Sequence, residues 1–575
     1  MRIITGGLVL IFLFPYNSLS QNVFKLWDNT IQGDRDDGSF FQIKKVTNDR
    51  ILISGFTNSD SGYDKSAANP NHEIASWLIL SDSNGSIIWD RDFKGSTGQD
   101  HAIVSINDNS HVLLTRARFY GDATAPITPG SSAYGSWLCA FDTTGVIQWN
   151  KRFHGGIDSL NSNYTILPYA ATVVNNSVYV IATAQTYPAY IGGDLTDLNC
   201  SSYSNDNKDL LFYKVDPNNM LSNEWHHIYG GDSVDWGSSL LALANGDFLL
   251  GGVTSSNSGC NQTVSTYNSP FYDYFLIRVD STGGIIWQKK YGGDKKDWLG
   301  GIIDSGNNEF LLYGHTTSDS SFDISANGSN DTSLWLVKID GLGNKIWDKR
   351  FGSCEGFTIW TPFINEYFTE TLDAIYTSDG GYLLVSNVRN SLPCGDVTEP
   401  GRGREDYWLL KLDSFGNKQW DKRLGGPGRD IAQRVIEMTP GYYIVGGLTR
   451  SDNAQDTSAL APGGDKSEYT IGVYDIWLAG VVDSSIVQGI NNISYEPLQF
   501  NCYPNPAQEN LTIQVIAKNH FKGTIYITDI AGKKLLQVPM NSPTQKLNIS
   551  SLTSGIYFVV LSDDKSQAVR KLVKN

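Results

Sequence analysis

Short apolar runs separated by polar turns recur along most of the chain. Runs such as residues 248–252, 310–314 and 442–446 hold only apolar, tyrosine and glycine residues, and each leads into a loop rich in Ser, Asp and Asn. Runs of this length, bounded by turn-forming residues, are typical of β-strands rather than helices. The pattern predicts an all-β fold.

A second kind of apolar run ends in an aspartate at a constant distance. It opens with an aromatic residue or Leu and reaches Asp five residues later at Trp77 to Asp82, Trp137 to Asp142, Leu211 to Asp216, Phe275 to Asp280, Trp335 to Asp340 and Trp408 to Asp413. In five of these places the Asp begins Asp-x-x-Gly. The Asp side chain can bond the turn backbone while Gly takes a positive φ, so each place is a predicted hairpin.

Tryptophan marks a long internal repeat. The spacings are 62, 60, 76, 62, 60 and 73 residues between Trp27, Trp89, Trp149, Trp225, Trp287, Trp347 and Trp420. Each repeat has room for about four short strands, which is the content of one propeller blade. A Trp at the same place in every blade is expected to pack against the neighbouring blade.

The two ends of the repeat region are incomplete in complementary ways. The last repeat runs through residues 477–483 without a closing Trp strand, whereas residues 23–27 form a Trp strand without a repeat. Adding that strand to the last repeat predicts a closed seven-bladed β-propeller over residues 21–484, with an open solenoid as the alternative. The pattern also resembles the seven-bladed propeller repeats of secreted bacterial proteins over residues 22–484, and this resemblance implies the fold only.

The first 20 residues predict export. One early Arg2 precedes an apolar run over residues 8–14, and small residues precede a predicted cleavage between Ser20 and Gln21. This is the pattern of a secretory signal peptide; the alternative, a membrane anchor, needs a longer apolar run. No other stretch is long and apolar enough to cross a bilayer, so we expect no membrane-spanning segment in the mature protein.

Composition and cysteine usage agree with an exported protein. The formal charge is −16 and Lys and Arg do not cluster, so nucleic acid is not an expected partner. An oxidising compartment permits disulfides, and we expect Cys354 to pair with Cys394 and Cys200 with Cys260 on one face. Cys139 is expected to be a reduced core residue. No cysteine spacing fits zinc.

The chain changes character at its C-terminus. A polar connector over residues 485–497 leads to residues 498–575, which contain nine Lys or Arg and four Asp or Glu. Alternating apolar and polar runs there predict a small Ig-like β-sandwich. This module resembles the type A C-terminal sorting domain of the type IX secretion system. The residues that carry the resemblance are Tyr503, Pro504, Asn505, Pro506, Gly532, Gly555, Tyr557, Lys571 and Lys574.

The resemblance implies handling by the type IX secretion machinery. It implies passage through the periplasm and then across the outer membrane, with release or attachment to the cell surface. The alternative from the residues alone is an ordinary sugar-binding or structural sandwich. Neither assigns an activity to the propeller.

Motifs for catalysis and cofactors are lacking in the sequence. No HExxH, GxSxG, phosphate-loop or dinucleotide pattern occurs, and we expect no cofactor. His226 and His227 are adjacent, but neighbours on a strand point to opposite faces, which argues against a metal pair. Residues 34–38 and 205–209 are rich enough in oxygen for structural calcium, although solvated turns are the alternative.

The strand order suggests where a ligand could bind. If the Trp strand is outermost, the Gly-Gly loops between blades and the long loops after the second strands rim one mouth of the ring. Asp235-Trp236 and Asp297-Trp298 lie in two adjacent Gly-Gly loops. Carboxylates beside exposed aromatics suit sugars, so these four residues are the candidate ligand site. In the alternative, the Asp side chains bond loop amides and the Trp side chains are core.

The sequence therefore predicts a non-catalytic module that binds a glycan or a surface protein. The alternative is a glycoside hydrolase or polysaccharide lyase with paired carboxylates at the mouth of the propeller. A third interpretation is a purely structural adhesin without a concave pocket.

Overall fold

The structure is a computed structural model and contains strands as its regular elements. It describes residues 23–38, 41–117, 135–153, 165–185, 208–217, 225–267, 271–325, 332–353, 372–389, 392–450, 463–468, 470, 474–486, 500–515, 522–528, 534–562 and 567–574. The chain divides into two compact units, residues 1–487 and 488–575. The signal peptide and most of the connector lie outside the described residues, so their limits stay predictions.

The described residues of the first unit form seven four-stranded antiparallel sheets, here called blades. Blade 1 contains β2 (Gln42–Lys45), β3 (Arg50–Thr57), β4 (Ala75–Asp82) and β5 (Ile87–Lys94). Blade 2 contains β6 (Ser96–Asn107), β7 (Ser110–Ala117), β8 (Gly135–Asp142) and β9 (Ile147–Phe153). Blade 3 contains β10 (Thr165–Val174), β11 (Ser177–Gln185), β12 (Lys208–Val215) and β13 (Trp225–Tyr229).

The remaining blades repeat this order. Blade 4 contains β14 (Asp235–Ala242), β15 (Phe248–Thr254), β16 (Asp273–Val279) and β17 (Ile285–Tyr291). Blade 5 contains β18 (Asp297–Asp304), β19 (Glu309–Thr316), β20 (Ser333–Asp340) and β21 (Lys345–Phe351). Blade 6 contains β22 (Asp373–Tyr376), β23 (Tyr382–Val388), β24 (Asp406–Leu412) and β25 (Lys418–Leu424). Blade 7 contains β26 (Arg429–Thr439), β27 (Tyr442–Arg450), β28 (Tyr474–Asp483) and, from the N-terminus, β1 (Val23–Ile31).

The blades close into a ring. The first strand of each blade contacts the first strand of the next, in the order β2, β6, β10, β14, β18, β22, β26 and back to β2. A buried apolar cluster fills each junction between adjacent blades. The junction of blades 7 and 1, where Phe41 and Ile53 pack with Ile444, is filled in the same way as the others.

The N-terminal strand is the outer strand of blade 7, as the sequence pattern predicts. It pairs with β28 from Val23 opposite Asp483 to Ile31 opposite Ile476. Oδ2 of Asp28 accepts hydrogen bonds from Nε1 of the buried Trp477 at 3.2 Å and from the amide of Ser467 at 2.7 Å. Asp90, Asp348 and Asp421 accept the same indole bond within blades 1, 5 and 6.

The predicted hairpins and the tryptophan contacts are both present. Oδ1 of Asp340 accepts the amides of Leu342 and Asn344 at 2.9 and 2.8 Å, and Gly343 has a φ of 77°. Outer-strand tryptophans pack on the glycine of the next blade's hairpin: a Cβ on Gly416 would lie 2.8 Å from the ring of Trp347. This contact explains why the repeat keeps Trp and Asp-x-x-Gly at fixed positions.

The second unit is a small two-sheet β-sandwich, as predicted. One sheet contains β29 (Phe500–Tyr503), β30 (Asn510–Val515) and β33 (Thr544–Asn548). The other contains β31 (Gly523–Thr528), β32 (Lys534–Met540), β34 (Gly555–Ser562) and β35 (Gln567–Lys574). Its core includes Leu511, Ile527, Val559 and Leu572.

The cysteines are described in part. Cys139 is buried in β8 and takes no part in a disulfide, as expected for a core residue. Cys260 and Cys394 are disulfide-bonded. Their expected partners, Cys200 and Cys354, lie outside the described residues, so both pairings stay predictions.

Candidate functional site

The two loop sets expected at one mouth of the ring contact each other. In each case an amide of the loop after the second strand donates to a carbonyl of the loop that enters the blade. The bonds are Asn58 to Asp36 at 3.3 Å, Ser255 to Val234 at 2.9 Å and Thr317 to Lys296 at 2.9 Å. We call the surface made by these loops the loop-rich face. The hairpins with Asp-x-x-Gly lie at the opposite ends of the strands.

The Gly-Gly pairs are required by close packing within this face. A Cβ on Gly230 would lie 2.1 Å from Oδ1 of Asp209, at the start of the third strand of blade 3. A Cβ on Gly231 would lie 2.6 Å from the side chain of Ser256, in the loop after the second strand of blade 4. The Gly-Gly pair therefore allows its own loop to pack closely against the third strand of blade 3 and the loop after the second strand of blade 4.

The recurring aspartate after each Gly-Gly pair holds the same loops together. Oδ2 of Asp297 accepts the amide of Gly293 at 2.7 Å and the hydroxyl of Ser318 at 3.1 Å, and Oδ1 accepts the hydroxyl of Thr316. Asp235 makes the equivalent bonds to Gly231 and Ser256, both at 2.8 Å. This is the geometry of the alternative in which the carboxylates bond loop groups.

The sequence carries a further signal for this arrangement, at the ends of the second strands. A Thr-x-Ser triplet lies at the end of the second strand in four blades, at residues 57–59, 254–256, 316–318 and 449–451, and the first three triplets are described in full. Its two hydroxyls are the side-chain donors to the aspartate. Read together with the aspartate spacing, the triplet would have placed these carboxylates inside the fold.

Burial dominates the ionisation of these carboxyl groups. Asp235 and Asp297 are both 0 % exposed. Loss of water raises the pKa of Asp235 to about 6 and that of Asp297 to about 7, although the surrounding donors act in the opposite direction. Burial likewise raises the pKa of Asp37 to about 6 and that of Asp100 to about 7.

These shifts predict that the propeller is most stable in mild acid. A carboxyl whose pKa is higher in the folded chain than in the unfolded chain binds protons preferentially in the folded state, so its stabilising contribution is lost as pH rises through the folded pKa. We expect the melting temperature to fall between about pH 4.5 and pH 7.5 and to level above that range, as measured by calorimetry.

The variant Asp297→Asn tests whether the buried carboxyl groups cause this pH dependence of the melting temperature. It keeps an acceptor for the amide of Gly293 but cannot ionise, so its melting temperature should depend less on pH than that of the unsubstituted chain. A melting temperature that instead rises with pH in both proteins would mean that the hydrogen-bond donors outweigh burial.

The two tryptophans of the candidate site have different environments. Trp298 is 7 % exposed and belongs to the core between blades 4 and 5, which is the environment of the core alternative. Trp236 is half-buried; its ring stacks on Tyr272 at 5.6 Å with an 18° interplanar angle, and Nζ of Lys208 lies 5.1 Å from the ring centre. A ligand role for Asp235, Trp236, Asp297 and Trp298 stays a prediction.

Exposed aromatics on the loop-rich face lie at other positions. Tyr63 and Phe322 are 68 % and 63 % exposed and occupy the second position of a tight turn after the second strand. Both have left-handed backbones, with φ of 55° and 48°. The equivalent turns in blades 6 and 7 carry Gly395 and Gly464 there. The signal in the sequence is an aromatic directly before Asp, where blades 6 and 7 have Gly-Asp and blade 4 has Cys260, also left-handed, before Asn.

The side chain of Phe322 joins two blades. Its ring stacks on Tyr267 of blade 4 with centres 4.3 Å apart and an interplanar angle of 9°. The ammonium of Lys290 lies over the ring of Tyr267 and 3.6 Å from Asp273, whose Oδ2 accepts the amide of Tyr267. One side of the stack is thus covered by the protein, while Phe322 remains mostly exposed.

The histidine pair is not brought together as a metal site. His226 is buried against Phe153, whereas Nε2 of His227 lies 2.8 Å from the carbonyl of Thr282. Among the described residues, no three His, Cys, Asp or Glu side chains are grouped as metal ligands. Asp34, in one calcium candidate, accepts the amide of Asp60 at 2.8 Å. Most of the other candidate stretch lies outside the described residues.

The sandwich brings separated parts of the sorting motif to one edge. Oδ1 of Asn505 accepts the amide of Val573 at 2.8 Å, and Ala507 bridges to Lys574. Gly555 pairs with Lys574, and Lys571 with Phe558. The peptide bonds before Pro504 and Pro506 are cis. The hydroxyl of Tyr557 donates to the carbonyl of Thr553. Gly532 lies outside the described residues.

Comparison with known families identifies the second unit. Residues 501–575 match the family described as the secretion system C-terminal sorting domain. The predicted type IX sorting domain is therefore confirmed, and with it the prediction that the chain is secreted or attached to the outer-membrane surface. The described residues contain no helix that could span a membrane.

Similarity to other proteins is weak. No curated protein matches the chain. Similar solved structures include PorZ, a surface component of the type IX secretion system of Porphyromonas gingivalis, at 11% identity over 93% of this chain and 81% of that one, with a TM-score of 0.22. They also include the endosialidase of phage phi92 (10%, 95% and 87%, TM-score 0.37) and a Trypanosoma rangeli sialidase (10%, 85% and 86%, TM-score 0.34). At these TM-scores the likenesses carry no argument about activity.

Proposed function

We propose that the exported propeller is a non-catalytic module that binds an extracellular glycan with its loop-rich face. The observation that carries the proposal is the pair of exposed aromatics, Tyr63 and Phe322, at left-handed backbone positions. The loops of this face can also differ from blade to blade with little effect on stability, since the ring of strands beneath them keeps the fold.

The backbone at these two residues is costly for the fold. A left-handed conformation costs a residue with a Cβ about 1 to 2 kcal/mol relative to a right-handed one, and glycine avoids that cost. Exposed rings regain little of it by burial. Phe322 stacks on Tyr267 with one face but stays 63 % exposed, and exposed aromatic faces stack on the apolar faces of sugars.

Binding is favoured over hydrolysis because the candidate carboxylates are engaged internally. A glycoside hydrolase needs two carboxyl groups that reach the substrate from opposite sides of the bond. Asp235 and Asp297 instead accept hydrogen bonds from their own loops and are shielded from solvent. Hydrolysis is therefore kept as an outcome of the test and not as the proposal.

The test separates binding from stability. In the purified chain, Phe322→Gly should change the melting temperature little, since relief of the left-handed turn offsets the loss of the stack on Tyr267. The same substitution should weaken binding on a glycan array by about fivefold, because stacking on one aromatic contributes on the order of 1 kcal/mol. Phe415→Ala is the matched control, because Phe415 is 72 % exposed in an Asp-x-x-Gly hairpin at the opposite ends of the strands.

Two results would count against the proposal. Equal binding by the Phe322→Gly and Phe415→Ala variants would remove Phe322 from the binding surface. Release of reducing ends from any bound polysaccharide would favour the hydrolase or lyase interpretation. Trp236→Ala, measured on the same array, decides whether the half-buried indole belongs to the surface.

A further inference from the structure

A cavity lies between blades 4 and 5, at the ends of the strands opposite the loop-rich face. Its volume is about 430 Å³. One wall is the turn between β14 and β15, the other is the turn between β18 and β19, and Arg278 of β16 lies between them. Sites for small molecules have volumes of about 300 to 1,000 Å³, so the cavity is large enough for a ligand.

The cavity combines an apolar floor with a polar rim. Leu243, which is half-buried, and Phe310, which is buried, line the floor. Asn245 and Asp304 are exposed and line the rim on opposite sides. Small-molecule sites combine apolar surface with a few polar groups that orient the ligand, and this lining has both.

The wall from blade 4 is fixed by internal hydrogen bonds. Nε and Nη2 of Arg278 donate to Oδ2 of Asp247 at 3.0 and 2.7 Å, and Nη1 donates to the carbonyl of Gly341 in blade 5 at 2.8 Å. Nδ2 of Asn245 also donates to Asp247, at 2.7 Å. The guanidinium charge is therefore balanced by a carboxylate, and a ligand would meet a wall that is already ordered.

The wall from blade 5 has hydrogen-bonding groups available. Asn307 and Asn308 are exposed at left-handed positions, with φ of 55° and 58°. Among the described residues, neither side-chain amide makes a hydrogen bond. Oδ1 of Asp304 accepts the amide of Gly306 at 2.8 Å, and its second oxygen can accept another donor. This wall thus offers donors and acceptors together.

The next blade has larger side chains at the equivalent positions. Asp304 is opposite Phe310 in the ladder of blade 5, as Tyr376 is opposite Tyr382 in blade 6. The rings of Tyr376 and Tyr382 have centres 5.6 Å apart. Blade 5 has a short carboxylate where blade 6 has a second ring, and this difference leaves space beside Phe310.

We propose that this cavity binds a neutral saccharide. Sugar hydroxyls both donate and accept, as the amides of Asn307 and Asn308 do, and the apolar face of a sugar ring suits the floor. Because Arg278 is balanced by Asp247, Asp304 leaves the cavity negative, which disfavours an anionic ligand. The inference goes beyond the proposed function and does not depend on it, since it assigns a second site away from the loop-rich face.

The test measures binding of four neutral oligosaccharides to the purified chain: maltotriose, cellotriose, mannotriose and chitotriose. Saturation-transfer NMR detects the bound sugar, and titration gives its dissociation constant. We expect at least one of the four to bind. Ala244→Trp should abolish that binding, because the indole would occupy the cavity. Ala244 is exposed, so this variant should keep the melting temperature of the unsubstituted chain.

Glycine variants test the two amides without straining the turn. Glycine accepts a left-handed backbone, so Asn307→Gly and Asn308→Gly should fold normally. Each should weaken binding of the saccharide by about fivefold through loss of a hydrogen bond. Asn176→Gly is the matched control, because Asn176 is exposed and left-handed, with a φ of 64°, in the equivalent turn of blade 3.

The outcomes separate this inference from the proposed function. Failure of all four sugars to bind, binding that Ala244→Trp leaves unchanged, or an equal loss in the Asn176→Gly control would each overturn the inference. Phe322→Gly should leave binding at the cavity unchanged. If Phe322→Gly removed the binding and Ala244→Trp did not, the saccharide would lie on the loop-rich face, which would support the proposed function and overturn this inference alone.

Discussion

Deletion of residues 23–31 is expected to lower the free energy of unfolding of the propeller by about 5 kcal/mol or more. The deletion removes the ladder that pairs Val23 through Ile31 with β28 and the acceptor of the indole of Trp477. Loss of one buried Leu or Ile side chain alone costs about 2 to 5 kcal/mol. Here the buried apolar side chains of Val23 and Ile31 and a whole strand are lost. The exposed edge of β28 should also promote association between chains.

Calorimetry and light scattering measure the two effects. Phe24→Ala is the matched control, because Phe24 lies in the same strand but is 39 % exposed; its effect on the melting temperature should be small. If the deleted protein melts like the unsubstituted one and stays monomeric, β1 does not close the ring.

Removal of residues 554–575 should abolish surface delivery. This deletion takes away β34 and β35, and with them Val559 and Leu572 of the sandwich core. It also removes Val573, whose amide bonds Asn505 of the sorting motif. We expect the truncated protein to accumulate in the periplasm, which cell fractionation with an antibody against the propeller measures.

The propeller itself should survive that truncation. The two units have separate buried clusters, and blades are stabilised mainly by their neighbours. The truncated protein should therefore keep the melting transition of the propeller. A variant lacking residues 1–20 is the control for compartment, since it should remain in the cytoplasm. Normal surface delivery of the truncated protein would contradict the role of the sorting domain.

Much of the fold could be predicted because equivalent residues make the same contacts in successive blades. Trp347 and Gly416 keep their spacing since one packs on the other across a blade junction, so spacing alone revealed the blades. The incomplete ends predicted the pairing of β1 with β28 for the same reason. The sorting domain could also be predicted from its motif residues, several of which meet at one edge of the small sandwich.

The candidate site was harder to predict, because the same residue types can line a ligand site or pack inside the fold, and the local sequence does not distinguish the two. Asp297 and Trp298 have the composition of a sugar site, yet the first is enclosed by Thr316 and Ser318 and the second lies in a blade junction. Whether a loop residue points inward depends on which blade lies beside it. Phe322 was missed for the converse reason, since its signal, an aromatic directly before Asp, becomes visible only when the equivalent turns of the blades are aligned.

The strand that closes the ring also sets an order of events during folding. Asp28 and Trp477, which meet in blade 7, are 449 residues apart in the chain. Contacts between distant residues form late, because both partners must be available and the intervening chain must already be ordered. Six blades each consist of four consecutive strands. The seventh is complete only when the N-terminal strand β1 pairs with β28, near the end of the propeller sequence. Until then blade 7 lacks its outer strand and β28 has an unpaired edge, and this interval is when the protein is most exposed to misassembly.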